Sequence, residues 1–167
     1  MRSITTFLST VAIAAVSTLS TFAEDGHDHE KKVAGPNGGR VITSIEPHVE
    51  FFVTKDRKVQ LTFLDENNKA KEFSADTLKL TGGKRLAPTQ LSFAKSGNAY
   101  VSDKALPDGK AIPVVLQIKL DKKSKKVTEK FNVDLSECPS CDHLEYACIC
   151  AHGDDGHDHE KEKADKK

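Results

Sequence analysis

The sequence predicts an all-β chain, an antiparallel β-sandwich of about seven to nine strands. Three observations lead there. Apolar residues between Arg40 and Leu135 recur mostly at every second position. Clusters of Gly, Pro, Asn, Asp and Lys interrupt those runs at hairpin spacing. No stretch of that region carries the 3.6-residue period of an amphipathic helix. Short alternating runs bounded by turn residues are the signature of hairpins and sandwiches.

The chain opens with an export signal. Met1-Arg2 supplies a short positive start, Ile4 to Leu19 is apolar but diluted by Ser and Thr, and Thr21-Phe22-Ala23 ends in small residues. Cleavage is expected after Ala23, giving a signal peptide over 1–23 and a periplasmic or secreted mature protein. The apolar stretch is too short and hydroxyl-rich to span a bilayer, which takes about 20 apolar residues. With no Cys at the cleavage point and no later apolar span, no stable membrane anchor is expected. Removing 23 of the 167 residues leaves 144, enough for one domain and its tails. The mature chain then carries 24 Lys+Arg against 25 Asp+Glu, because Arg2 leaves with the signal. A balance near zero argues against nucleic acid and an anionic membrane surface as partners. Trp is absent and aromatics make up 6%, too few for a base-stacking platform.

Residues 24–33 read as a disordered arm, since Glu24 to Lys32 is charged and has nothing apolar to bury. Its heptapeptide Asp25-Gly26-His27-Asp28-His29-Glu30-Lys31 returns unchanged as Asp155-Gly156-His157-Asp158-His159-Glu160-Lys161 in a disordered tail over 153–167. One copy would read as a solvated lead-in. Two copies point to weak metal-binding tracts built from His27, His29, His157 and His159. Imidazole binds a metal as the neutral base, so such arms should let go as pH falls through about 6.5.

The body is expected over 34–136. Gly35-Pro36-Asn37-Gly38-Gly39 is a turn cluster that marks its start. Arg40 to Ile45 is rich in β-branched residues. Val49, Phe51 and Val53 alternate with His48, Glu50 and Phe52; after the charged turn Lys55 to Lys58, Val59, Leu61 and Phe63 alternate with Gln60, Thr62 and Leu64. Asp65 to Lys69 turns the chain again. Leu78-Lys79-Leu80 precedes Gly82-Gly83, and Leu91 to Lys95 and Ala99 to Ser102 flank the turn Ser96-Gly97-Asn98. Leu106-Pro107-Asp108-Gly109 is another turn. Ile112, Val114, Leu116, Ile118 and Leu120 form the longest alternating run, and Val127, Phe131, Val133 and Leu135 close the domain. The lysine run Lys122 to Lys126 between them reads as a solvated tip that discourages edge pairing. His48 shares a strand face with Glu50, a pairing that fits ordinary surface chemistry better than a metal site. There is no Gly-x-Ser-x-Gly motif, no phosphate loop and no nucleophile–base set, so an enzyme is not expected.

Residues 137–152 change character. Cys138-Pro139-Ser140-Cys141 is a C-x-x-C pair, Cys148-Ile149-Cys150 follows after six residues, and His143 and His152 lie among and just after them. Two readings stand side by side. Four thiolates, with His143 or His152 able to replace one, can close a tetrahedral site around one ion. An exported chain with four cysteines can equally carry two disulfides, in any of three pairings. Thiolate and imidazole suit Zn or Cu. A thioredoxin-like role for the C-x-x-C lacks its βαβ context.

The run Gly35-Pro36-Asn37-Gly38-Gly39-Arg40-Val41 after a His-rich tract resembles the N-terminal metal-associated β domain of periplasmic adaptor (membrane fusion) subunits of heavy-metal efflux systems of the resistance-nodulation-division type. Leu80-Thr81-Gly82-Gly83, Leu91-Ser92-Phe93 and Gly97-Asn98-Ala99-Tyr100-Val101-Ser102-Asp103 are similar to the same domain. The family often has His where this chain has Asn37, and the adaptor's coiled-coil, lipoyl and barrel domains are not in this sequence. The resemblance implies a free-standing relative of that domain, one that sequesters, buffers or delivers an ion beside an efflux component, and not a transporter. The other class of function open to the chain is a β-sandwich interaction module with a disulfide-stapled tail.

Overall fold

The computed structural model describes residues 32–150, and these are all-β. Eight strands follow in order: β1 (Arg40–Ile42), β2 (Val49–Val53), β3 (Lys58–Phe63), β4 (Thr77–Gly82), β5 (Thr89–Ser96), β6 (Ala99–Ala105), β7 (Ala111–Lys119) and β8 (Val127–Asp134). A single 3-10 turn, Glu145–Ala147, comes after them. The expected signal peptide, both His-Asp-His arms and His152 lie outside the described residues. Among the described residues no helix is long and apolar enough to cross a membrane.

All strand pairs are antiparallel, and they join in one sheet of order β1-β2-β3-β6-β5-β4-β7-β8. Five pairs are simple hairpins between strands that follow one another in sequence. Gly97 in the β5–β6 turn and Gly109 in the β6–β7 connection adopt positive φ of 59° and 141°, which glycine does at little cost. Two pairings, β3 with β6 and β4 with β7, join strands that are not neighbours in sequence. They arise because the meander β4-β5-β6 turns back on itself and is inserted whole between β3 and β7. Where β3 meets β6 the register shifts between Lys58 and Gln60. The N–H of Val59 freed there donates to Ser102 Oγ at 2.9 Å, and that hydroxyl donates to the Lys104 carbonyl at 2.6 Å, so the buried serine is satisfied.

The sheet is curled. In a flat sheet β2 and β8, six positions apart, would lie about 29 Å from each other. Instead the rings of Phe51 and Phe131 meet edge to face at 5.1 Å, and Ser44 Oγ donates to Glu129 at 2.5 Å. Curling encloses one core: Val49, Phe51, Val59, Leu61, Phe63, Leu80, Leu116, Ile118 and Val133 are completely buried. Those are the inward positions of the alternating runs. Burying each such side chain contributes on the order of 1.5–3 kcal/mol. At the far side Tyr100 accepts from the Ala75 N–H at 3.1 Å and donates to the Phe73 carbonyl at 3.2 Å, holding the β3–β4 connection over Phe63.

Burial departs from simple alternation in places; Leu64, on the Gln60 and Thr62 side of its run, is completely buried. Glu50 and Thr62, opposite each other across β2 and β3, are buried although they point away from the core face. Glu50 was expected on a solvated surface beside His48; the Gly35–Gly39 loop covers it instead. The core also runs past residue 136: Tyr146 and Ala147 belong to it, and Leu144 packs against it.

Candidate metal centre

Cys138, Cys141, Cys148 and Cys150 converge. All four sulfurs lie within 4.8 Å of one another, the only group of metal-binding side chains among the described residues that does so. Cys138 and Cys148 Sγ are 3.3 Å apart, and Cys141 and Cys148 Sγ 3.7 Å. Four thiolates at about 2.3 Å from a tetrahedral ion sit about 3.8 Å from one another. The spacing therefore fits one four-coordinate ion with little movement. All four are thiols, Cys138 buried and the other three half-buried.

The local fold explains the convergence. Glu137 and Leu144 form an isolated antiparallel bridge. The Cys138 N–H donates to the His143 carbonyl at 2.9 Å, and the Glu145 N–H donates to the Ser136 carbonyl at 2.9 Å. Together they pin the ends of a tight loop that carries Cys138 and Cys141. The 3-10 turn then reverses the chain, closed by Ala147 N–H to the Leu144 carbonyl at 2.9 Å, and brings Cys148 back over the loop.

That turn is anchored by Tyr146. Its hydroxyl accepts the Val53 N–H at 3.0 Å, beyond the end of β1 where the sheet would otherwise leave that donor unpaired. Its ring packs edge to face on Phe51 at 6.0 Å. Burial raises the Tyr146 phenol above its usual range, the Val53 N–H pulling the other way and the Glu50 carboxylate adding to the rise.

Three of the four sulfurs receive a backbone N–H from two residues further on. Ser140 donates to Cys138, His143 to Cys141, and Cys150 to Cys148 at 3.3 Å. Such bonds favour the charged thiolate. For Cys141 the His143 N–H leads, and with the neighbouring thiols it outweighs burial and holds the pKa down to about 7. For Cys138 the Ser140 N–H acts in the same direction, but burial and the thiols of Cys148 and Cys141 together push it up. Cys150 is driven up to about 12, first by its contact with Cys141, then by Cys148 and burial. A crowded thiol cluster cannot hold four negative charges alone. A cation at its centre removes that repulsion.

His143 enters this site through its backbone. Its imidazole is not among the converging ligands; it faces Gly38, where an added Cβ would sit 3.6 Å from His143 Nδ1. His48 meets Glu46 at 3.3 Å and joins no ligand group. His27, His29, His152, His157 and His159 lie outside the described residues.

Sequence reasoning gave no supporting role to three residues that shape this region: Glu50, Asn37 and Tyr146. A lone acid inside the apolar run Val49–Val53 was the available signal for Glu50, and an Asn just before the double glycine Gly38-Gly39 was that for Asn37. For Tyr146 the signal was an aromatic in a segment otherwise short of core residues.

No protein-family model, curated protein or solved structure matches this chain.

Proposed function

We propose that this chain is an exported metal-binding protein that sequesters, buffers or delivers a thiophilic ion, Zn or Cu(I), through Cys138, Cys141, Cys148 and Cys150. One observation carries the reading: four sulfurs within 4.8 Å of one another. Two disulfides need two close pairs and have no use for the convergence of all four. The backbone N–H bonds to three sulfurs support it further, because they stabilise thiolates. Four thiolates suit Zn as a closed tetrahedral site and also suit Cu(I).

The signal-like stretch over 1–23 supports a periplasmic or extracellular compartment. Thiols exported to an oxidising compartment form disulfides unless something occupies them. A bound ion would protect them. The His-Asp-His arms add weak, exchangeable sites, and the Gly-Pro-Asn-Gly-Gly resemblance points to an efflux component as the partner. The role is binding and not catalysis.

The test is metal and thiol stoichiometry on the same samples. The mature protein is purified in air and again without oxygen, digested for elemental analysis, and its thiols are counted by mass spectrometry after denaturation. One Zn or Cu per chain with four alkylatable thiols after chelation supports the proposal. Two disulfides and no metal in both preparations would falsify it and leave a stapled interaction module, with Cys138–Cys148 as the closest pair.

A further inference from the structure

Glu50 poses a problem that stability alone does not solve. Its carboxylate is wholly buried, and among the described residues no ion pair engages it. Burying a carboxyl group costs free energy unless hydrogen bonds satisfy it. The carboxylate is spent on a loop instead. Oε1 accepts the N–H groups of Asn37 at 2.8 Å and Gly39 at 2.9 Å, while Oε2 accepts Asn37 Nδ2 at 2.7 Å.

The loop is shaped around that carboxylate. A Cβ at Gly35 would fall 2.4 Å from it, and one at Gly39 would fall 2.4 Å from the Phe51 carbonyl. Gly38 adopts φ of +80°. The loop also closes on itself through Gly38 N–H to the Gly35 carbonyl and Gly35 N–H to the Gly39 carbonyl, both at 2.9 Å. Its outer side, at Gly38, faces the imidazole of His143, whose Nδ1 lies 3.6 Å from where a Gly38 Cβ would stand. His143 is bonded through its backbone to two of the converging cysteines, with its N–H on Cys141 Sγ and its carbonyl on the Cys138 N–H.

We infer that Glu50 and Asn37 are positioning residues for the thiolate site: the carboxylate fixes the Gly35–Gly39 loop, the loop fixes His143, and the His143 backbone sets Cys138 and Cys141 for the ion. This rests on the metal reading above. It gives the Gly-Pro-Asn-Gly-Gly motif a task in this chain, as a support for the site with no ligand of its own. Hydrogen-bonded partners behind metal ligands affect affinity about 10–100-fold in other sites.

The experiment uses the full mature chain and three variants: Asn37→Ala, Glu50→Gln and Ile118→Val. Asn37 is exposed, so its replacement leaves the core alone. Ile118 is buried in β7 and serves as a control for general destabilisation. Zn affinity is read by competition with a chromophoric chelator, and Co(II) spectra report the thiolate coordination geometry. Asn37→Ala and Glu50→Gln should weaken Zn binding about tenfold and shift the Co(II) bands. Ile118→Val should lower Tm while leaving both readouts at wild-type values. If the two loop variants match wild type, or shift no more than Ile118→Val, the inference is overturned and the metal reading stands. A wild-type chain that takes up neither of these ions nor Cu(I) overturns both.

Discussion

The ring of Phe51 in β2 stands edge-on to the ring of Phe131 in β8, centroids 5.1 Å apart, and Tyr146 closes on the same Phe51 from the cysteine segment at 6.0 Å. Phe51 thus joins the start of the sheet, its last strand and the anchor of the candidate metal centre. Arg40 lies 4.8 Å over the outer ring of the pair and caps it.

Phe51→Ala should therefore be the most damaging core truncation near the site. The expected cost is about 3–5 kcal/mol, since the residue is fully buried and the cavity borders two elements that cannot both collapse into it. Urea unfolding monitored by circular dichroism checks this. A loss below about 1 kcal/mol would mean the curled ends are held by other contacts.

Tyr146→Phe isolates one bond. It keeps the ring but removes the acceptor for the Val53 N–H, leaving a buried donor without a partner. A loss of about 1–3 kcal/mol is expected, in chelator as well as with metal. Hydrogen exchange adds a local readout, because the Val53 amide should exchange faster in the variant. Unchanged Val53 protection would show that the phenol is not its partner in solution.

Each single change of Cys138, Cys141, Cys148 or Cys150 to Ser should weaken Zn binding by more than about 100-fold, because a four-thiolate site contributes on the order of 10–16 kcal/mol in all. Chelator should release the ion while the sheet, whose core contains no proposed ligand other than the docked segment, keeps its cooperative β signal. Wild-type affinity in Cys150→Ser would leave a three-thiolate site in its place.

The thiols should separate by pH in the metal-free, reduced chain. Cys141 is held down to about 7 from an ordinary 9.0, first by the His143 N–H, and Cys150 is pushed up to about 12, first by Cys141. Mass-mapped alkylation should show Cys141 reacting half-maximally near pH 7 and Cys150 inert at pH 9. A lowered pKa contributes to the stability of the metal-free fold fully above 9.0, and that contribution is lost as pH falls through about 7. The raised pKa of Cys150 contributes below 9.0 and is lost as pH climbs through about 12. Metal loading displaces the remaining protons, so affinity should fall on acidification. Equal reactivity of all four cysteines across pH 6–9 would contradict the N–H···S arrangement.

Changing His27, His29, His157 and His159 together to Ala should remove weak ion binding above about pH 6 and leave Tm unchanged. Titration calorimetry with an unchanged stoichiometry would reduce the repeated heptapeptide to a solvated spacer.

The sequence by itself determined the strands, their inward faces and the turns between them. Period-two alternation in Val49–Val53, Val59–Phe63 and Ile112–Leu120 dictates which side chains face a core, and Gly97 and Gly109 mark places where only a turn is comfortable. It also determined which residues could bind a soft ion, since Cys138, Cys141, Cys148 and Cys150 fall within 13 residues of one another. Tertiary structure alone decided the rest. The pairings β3 with β6 and β4 with β7 join distant stretches, and no local pattern encodes which hairpin inserts where. Glu50 lies on the polar face of its strand yet is buried, because a loop from before β1 folds over it. The His143 side chain turns to Gly38 while its backbone serves Cys138 and Cys141, and Tyr146 leaves the cysteine segment for the core. Each of these depends on what lies opposite after the sheet has curled, and side-chain type and spacing carry no record of that.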